Sequence, residues 1–391
     1  MRKQAPVQRI PHDQEGKSSL LHRLFVLTGW LSQITPAQLL PTWAALTIVA
    51  AWPWEGQRLL AGVIFVLSLL FDWAVLALLP VFHRSWGPVT PSLLGLTLMR
   101  TVLSWLITQI LQDNAGIAVF GTLSVTLNAI VAYATWIEPF RVGVTDVELV
   151  TSDWTNEQPL RLLHITDLHF EGNSPRERAV LEHAEALQPD LIVLTGDYLN
   201  LSSVYDPEAQ AGARDFLARL DAPLGVYAVT GSPVVDIATI VPGIFNELPI
   251  RWLDDEVVPI TWHDSEIQLL GVRCTRDLER DARALQQLSK ARSESATTIL
   301  LYHTPDLMPK ATGLEIDLYL AGHTHGGQLR LPLYGALFTS SRWGKRYEMG
   351  RYEAQGTTLY VSRGLGLEGL GAPRARFLAP PELVQWTLRG P

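Results

Sequence analysis

Cysteine is nearly missing from this 391-residue chain: Cys274 stands alone. An internal disulfide framework and a thiolate zinc site are thereby excluded, and the redox compartment is left open. Charge is also scarce, at 18% of residues against roughly a quarter in an average soluble domain. The scarcity is uneven. Residues 1–138 carry 8 Lys/Arg and 6 Asp/Glu, whereas residues 139–391 carry 23 and 33. The first part is almost uncharged and the second is ordinary in charge content and acidic, which excludes a single soluble domain and a disordered chain. An acidic second part argues against a nucleic-acid partner, which selects a basic face. No repeat of 20–50 residues is visible, and the Gly-x-Ser-x-Gly elbow of a serine hydrolase is absent.

What the first part does have is long uncharged runs. Thirty-one residues separate Arg23 from Glu55, and 24 separate Asp113 from Glu138; about 20 apolar residues cross a bilayer core. Segments near 58–82 and 91–112 are as apolar but hold an internal charge each, Asp72 or Arg100. Breakers lie between them, at Trp52-Pro53-Trp54-Glu55-Gly56, His83-Arg84-Ser85-Trp86-Gly87-Pro88 and Gln112-Asp113-Asn114. This pattern predicts an α-helical membrane domain of about four spans, near 38–54, 58–82, 91–112 and 115–137. Length and charge scarcity favour lipid over a buried soluble bundle, and a cleavable signal peptide fits poorly. Eight of the 13 tryptophans fall here, most near proposed span ends, where interfacial anchors sit.

Arg2, Lys3, Arg9, Lys17 and Arg23 should keep the N-terminal tail cytoplasmic. Four spans then return residue 139 onward to the cytoplasm. Residues 20–35 are short of a span and contain Arg23, so an interfacial helix is expected; a fifth span there would move the second domain to the other side. Asp72 and Arg100 lie mid-span on neighbouring, antiparallel segments. Charges at that depth are costly unless paired, so the two are expected to meet as a structural staple.

From about 145 the chain changes to short apolar runs bounded by turns. A strand over 161–166 ends in Asp167-Leu168-His169, and one over 191–195 ends in Gly196-Asp197, followed by Asn200. A third runs over 226–230 into Gly231-Ser232-Pro233, a fourth over 298–302 into His303, and a fifth over 317–321 into Gly322-His323-Thr324-His325. Residues 357–362 and 382–388 read as closing strands, and 176–187 as an amphipathic helix. In four of these strands a metal-capable side chain stands at the carboxyl end, where open α/β sheets place their ligands. Residues at i and i+2 of extended chain project to one side, so Asp167 with His169, and His323 with His325, should each face one site. Carboxylates and imidazoles without thiolates suit Mn, Fe, Zn or similar divalent ions.

These motifs, in this order, resemble the series found in calcineurin-like metallophosphoesterases. Gly326-Gly327-Gln328 and the 360–366 stretch Tyr-Val-Ser-Arg-Gly-Leu-Gly are similar to its membrane-linked bacterial branch. The resemblance covers roughly 155–388. It implies an αββα two-sheet sandwich over 159–391, reached through a linker and first strand at 139–158, behind the tail and transmembrane region of 1–138. It also implies two divalent ions. Asp167, His169 and His325 would hold the first, His303 and His323 the second, Asp197 would bridge them, and Asn200 would support the site. A hydroxide shared by the ions would attack phosphorus, with Asp197, His323 and His325 at the catalytic centre.

The family pattern departs at one place. Its Gly-Asn-His-Asp or Gly-Asn-His-Glu motif is replaced by Gly231-Ser232-Pro233-Val234, so a ligand and a phosphate or leaving-group donor are missing. Ser232-Pro233 reads as an N-cap followed by Pro at the first helical position, with Asp236 as a remote substitute ligand. Loss of an acid costs about 10²–10⁴-fold, tolerable only where the leaving group is already good. The expected function is therefore a membrane-anchored, dinuclear phosphoesterase acting on a phosphodiester or pyrophosphate. Its phosphate-ester substrate is expected to be lipid-linked, as the neighbouring membrane lipids invite. The alternative is a degenerate homologue that only binds a metal or ligand. His164 reads as a packing residue, and His183 and His263 as surface residues. Arg374 and Arg376 read as solvated as readily as phosphate-facing, and Gly364, Gly366, Gly369 and Gly371 lack the Lys-Ser/Thr of a phosphate loop.

Overall fold

The structure, a computed structural model, describes residues 29–152, 154 and 156–391. The basic N-terminal tail and most of the expected interfacial helix lie outside the described residues. Two compact units emerge: residues up to Ile137 with Glu368–Ala375, and Glu138–Leu367 with Arg376–Pro391.

Among the described residues the first unit holds four α-helices, α1 (Leu40–Ala51), α2 (Arg58–Leu78), α3 (Val89–Thr108) and α4 (Asn114–Ala132). They end where the sequence places breakers. Pro53 and Gly56, the latter at φ +77°, follow α1, and the Asp113 carboxylate caps α4 by accepting from the Ala115 and Gly116 amides. Three helices among the described residues are long and apolar enough to cross a membrane: Arg58–Leu78, Val89–Thr108 and Asn114–Phe140. The apolar helix Pro36–Ala51 is shorter; at about 1.5 Å per residue it falls below a core of about 30 Å. Large apolar side chains such as Leu59, Leu67, Val102 and Val125 point outward, as lipid-facing residues do.

Polar groups collect inside instead. Trp54, expected near an interface, is buried and donates from Nε1 to Ser104 Oγ at 2.7 Å, because a buried indole N–H needs an acceptor away from water; Ser104 Oγ in turn donates to the Ala50 carbonyl at 2.7 Å. Arg100 lies fully inside and bonds both Asp72 and Asn128. Breaking one side of a buried pair strands the other charge, at a cost of about 3–5 kcal/mol. Asp72→Ala alone is therefore expected to lower thermal stability in detergent more than Asp72→Ala combined with Arg100→Ala. Strictly additive losses would remove the staple assignment.

The second unit is built from fourteen strands: β1 (Gly143–Val150), β2 (Leu160–Ile165), β3 (Leu191–Leu194), β4 (Val226–Ala228), β5 (Ile250–Trp252), β6 (Glu256–Trp262), β7 (Ser265–Gly271), β8 (Thr297–Leu301), β9 (Leu318–Ala321), β10 (Arg330–Leu331), β11 (Gly335–Ala336), β12 (Gly350–Ala354), β13 (Thr357–Val361) and β14 (Glu382–Arg389). One six-stranded sheet has the order β1-β14-β2-β3-β4-β5, the other β12-β13-β9-β8-β7-β6, and β10-β11 form a separate hairpin. β2 to β5 run parallel, as do β7, β8, β9 and β13; β6 and β12 pair antiparallel to their neighbours, and β14 runs antiparallel to β2 but parallel to β1.

Layering follows from side-chain alternation. Leu191 and Val193 of β3 enter the core between the sheets, beside Ile299, Leu301, Leu318 and Leu320. Ile192 and Leu194 face the other way, onto α5 (Pro175–Leu187) and α6 (Pro207–Leu217) through Val180, Ala184, Ala213 and Phe216. On the second sheet Leu270, Leu300 and Leu359 pack outward against α7 (Leu278–Lys290) through Ala282 and Leu285. Helix, sheet, sheet and helix thus make four layers. Central strands covered on both faces read as unbroken apolar runs, which is why they stand out in the sequence.

Candidate metal centre

The carboxyl ends of β2, β3 and β4 from one sheet and of β8 and β9 from the other meet at one edge of the sandwich. Here the backbone turns sharply. Asp167, His169, Asp197, His323 and His325 take left-handed conformations, with φ of 50°, 40°, 58°, 70° and 51°. Each costs a non-glycine residue about 1–2 kcal/mol, and such strain persists where the surroundings over-determine it. The loops lock each other through Asp167 N–H to the Gly196 carbonyl (3.0 Å), His169 N–H to the Asp197 carbonyl (2.9 Å) and Gly322 N–H to the His303 carbonyl (2.8 Å). Both Asp167 oxygens accept from the His323 amide at 3.0 Å.

Two groups of three result, Asp167 with His169 and His325, and Asp197 with His303 and His323; within each, the ligand-type atoms lie within 4.8 Å of one another. His169 Nε2 is 3.1 Å from His325 Nε2, and His303 Nε2 is 3.1 Å from His323 Nδ1. Asp197 Oδ2 stands between the groups, 3.2 Å from His303 Nε2 and 3.5 Å from His169 Nε2. The spacing argument for His323 and His325 does not hold. They are not in extended chain, and the left-handed turn sends one to each group. Asn200 is buried and outside both groups; its amide donates to the Leu367 carbonyl at 2.8 Å, tying down the loop that follows Asp197.

Ser232 is not a helix cap. Residues 233–235 form a turn in which the Val235 and Asp236 amides donate to the Ser232 carbonyl at 2.8 Å, and the next helix starts only at Val241. The Ser232 amide donates to Asp197 Oδ1 at 2.6 Å, and its Oγ lies 3.2 Å from His303 Nε2 and 3.3 Å from His323 Nδ1. Asp236 is no ligand either. One of its oxygens accepts from the Asp197 and Gly231 amides (2.9 and 2.6 Å), the other from the Tyr198 amide (3.0 Å). It is a clamp that aims Asp197. Gly231 makes this possible, because any side chain there would collide with Asp197 and with the Asp236 carboxylate.

Arg376, expected to be solvated or phosphate-facing, is wholly buried. It donates to the Gly366 and Arg363 carbonyls (2.6 and 2.9 Å) and lies 3.3 Å from His325 Nδ1, steadying that ring. Arg374 is also buried, on the Leu370 and Ala372 carbonyls. Gly364 and Gly366 bring bare backbone against Asp167 and His169. Nothing at the level of sequence links Asp236, Gly366 or Arg376 to ligands up to two hundred residues away. The one available signal was an Asp placed shortly after a Gly-Ser-Pro turn.

Electrostatics follow from burial. Burial, with the nearby Asp197 charge, lifts Asp167 to about 6 despite His303. Burial also opposes the charge on Asp197, but His303, His169 and His323 outweigh it and hold that carboxyl below its usual range. His303 in turn rises to about 10 against its desolvation, through the Asp197 carboxylate. Desolvation lowers His323 to about 3 and His325 well below its usual value, so both rings are neutral and free to ligate. Among the described residues the ion-pair partners of Asp167 and Asp197 are imidazoles only. Four ring nitrogens and two carboxylates facing inward without Lys or Arg fit divalent cations.

His164 is a core residue on the same strand, buried and 2.7 Å from Thr195 Oγ. Burial lowers it to about 3 from 6.5, so it folds neutral. The unfolded chain binds its proton first. The contribution of His164 is complete above pH 6.5 and falls by about 1.4 kcal/mol per pH unit on acidification toward 3. Denaturation midpoints should therefore drop less between pH 6.5 and 4.5 in His164→Gln than in the parent; parallel slopes would count against it.

Residues 160–327 match the calcineurin-like phosphoesterase family. The second unit therefore carries a calcineurin-like metallophosphoesterase domain, and the chain is a metal-dependent phosphoesterase hydrolase. The metallophosphoesterase YkuE of Bacillus subtilis, named as uncharacterised, is 29% identical over 296 residues, covering 72% of this chain and 96% of that protein. The UDP-2,3-diacylglucosamine pyrophosphatase LpxG of Chlamydia muridarum is 26% identical over 327 residues, 68% of this chain and 97% of its own length. The phosphodiesterase YaeI of Escherichia coli is 29% identical over 220 residues, 54% of this chain and 77% of that protein.

Proposed function

We propose that the chain is a multi-pass membrane protein whose second domain hydrolyses a phosphodiester or pyrophosphate bond at a dinuclear centre. Asp167, His169 and His325 would hold one ion of the Mn, Fe or Zn type, and Asp197, His303 and His323 the other. The observation that carries this is the position of Asp197 Oδ2, within 3.5 Å of a ring nitrogen in each group. When bound, such ions polarise phosphoryl oxygens and bring the pKa of a water near 7. The protein's own part is orientation. Asp236 and Gly231 aim Asp197, Arg376 steadies His325, and Ser232 Oγ occupies the place beside His303 and His323.

Pro233 offers no side-chain donor to a leaving group, which favours substrates whose leaving group is itself a phosphate or nucleotide. The name of LpxG, a pyrophosphatase of a diacylated nucleotide sugar, supports a lipid-linked pyrophosphate in the same class. Asn200 acts as a supporting residue. With Pro36–Ala51 counted as a fourth crossing, a cytoplasmic N-terminus places the catalytic domain in the cytoplasm; with three crossings it faces the other side. A reporter fused after Pro391 separates the two.

The full chain, purified in detergent and loaded with Mn²⁺, should retain close to two metal ions and cleave bis(p-nitrophenyl) phosphate until a chelator is added. The second reading, a degenerate binding module, is favoured by Ser232-Pro233 alone. One ion or none, with no turnover of activated esters, would establish it.

A further inference from the structure

The segment 330–347 follows the His323-Thr324-His325 turn and is unlike the rest of its domain. Leu331, Leu333, Tyr334, Leu337, Phe338 and Trp343 are exposed by 47%, 109%, 60%, 53%, 50% and 41%, a density of bare apolar side chains that a soluble surface avoids. The stretch carries Arg330, Arg342, Lys345 and Arg346 and not one Asp or Glu, within a domain that is acidic as a whole. Glu348, just beyond it, meets Arg330 (2.9 Å) and Lys345 (3.5 Å) but leaves the segment cationic. Leu333, at the hairpin tip between β10 and β11, is both fully exposed and left-handed at φ +65°. Among the described residues none covers that leucine.

The segment is fastened to the metal-ligand loop. Ser340 Oγ donates to the His323 carbonyl at 2.6 Å, and Gly327 packs its backbone against Ala336 with no room for a side chain. The Leu337 amide donates to the Leu329 carbonyl at 3.1 Å, and Thr339 Oγ1 to the Gly344 carbonyl at 2.7 Å. The apolar tip is therefore carried on a braced hairpin. Leu, Tyr, Phe and Trp interleaved with Arg and Lys are the composition of surfaces that rest in the headgroup layer of anionic bilayers.

We infer that residues 330–347 dock on the surface of an anionic phospholipid bilayer and so hold the His323–His325 loop at headgroup level. Phosphates embedded in that layer then reach the centre without leaving the lipid. The inference rests on the membrane part of the proposed function and does not need hydrolysis. Resistance of the full chain to carbonate extraction reads that membrane part separately.

The test places a cysteine at the tip, Leu333→Cys, in the full chain; Cys274 is buried and stays unlabelled. The label is an environment-sensitive nitrobenzoxadiazole, and the protein is reconstituted in vesicles of phosphatidylcholine and phosphatidylglycerol, three to one. Bromine on the lipid acyl chains should quench this label several times more strongly than the same label at the exposed helix position Gln286→Cys. Quenching should also fall several-fold in vesicles of phosphatidylcholine alone. A label at 333 that aqueous iodide reaches as easily as the label at 286 overturns docking. A label shielded from both quenchers also overturns it, because protein, such as a second copy of the chain, then covers the tip. Leu333→Asp with Phe338→Asp should abolish bromolipid quenching of a label at Leu337→Cys while leaving cleavage of bis(p-nitrophenyl) phosphate in detergent unchanged.

Discussion

Asp197→Asn is expected to lower cleavage of bis(p-nitrophenyl) phosphate by about 10³-fold or more and to leave fewer than two bound metals per chain. The substitution keeps the shape of the side chain. Its amide oxygen can still accept from the Ser232 amide where Oδ1 does now, and the Asp236 clamp holds the backbone N–H, not the carboxylate. What changes is the other oxygen. A donor NH₂ would then point at His169 Nε2 and His303 Nε2, where lone pairs must converge on a cation. The charge that keeps His303 protonated in the absence of competition is lost as well, so the ring loses its high pKa. Thermal stability of the protein should move little in comparison with activity. A variant that keeps both metals and most of its turnover would remove Asp197 from the bridging position and with it the dinuclear reading.

The strands that feed the centre were legible because each is covered on both faces. β3 and β9 are unbroken apolar runs, β8 is buried throughout and ends in Ile299-Leu300-Leu301, and the few residues after each run are where a buried edge opens to ligands. β6 and β12 were not legible: each is an edge strand of the second sheet, alternating buried or half-buried with exposed residues. The outcome for the helices was similar. Three were long enough to satisfy the composition rule, but no uncharged run states how many of its residues will be helical, and Pro53 ends the first early. At the centre, residue types and order pointed to the ligands, yet the five left-handed backbones could not be read. Those conformations are imposed by neighbouring loops, and the same cause hid Asp236 and Arg376. Ser232 was misread because Ser-Pro is a cap in local terms. Only the opposing Asp197 and His303, brought from other strands, make the turn a wall of the site.

Ser232→Asn combined with Pro233→His is expected to raise turnover, by about 10- to 10³-fold for an ester with a poor leaving group and far less for one with a good one. The asymmetry comes from what each residue restores. Ser232 Oγ already sits 3.2–3.3 Å from His303 and His323, so an Asn carbonyl, one bond longer, would extend a ligand-type oxygen into the second group. That gain should show as tighter retention of the second metal whatever the substrate. A His at 233 supplies a donor for the leaving group, worth about 10²–10⁴-fold where a proton must be delivered and little where the leaving group is already a weak base. Comparing phenyl with p-nitrophenyl esters of the same phosphoryl group separates the two contributions. The Asn alone should shift metal affinity, and only the pair should flatten the dependence on leaving-group basicity. If the pair binds metal more tightly but its leaving-group dependence stays steep, the 233–235 turn has moved position 233 away from the reacting phosphorus. The native chain is then a specialist for activated diesters and pyrophosphates by geometry as well as by residue type.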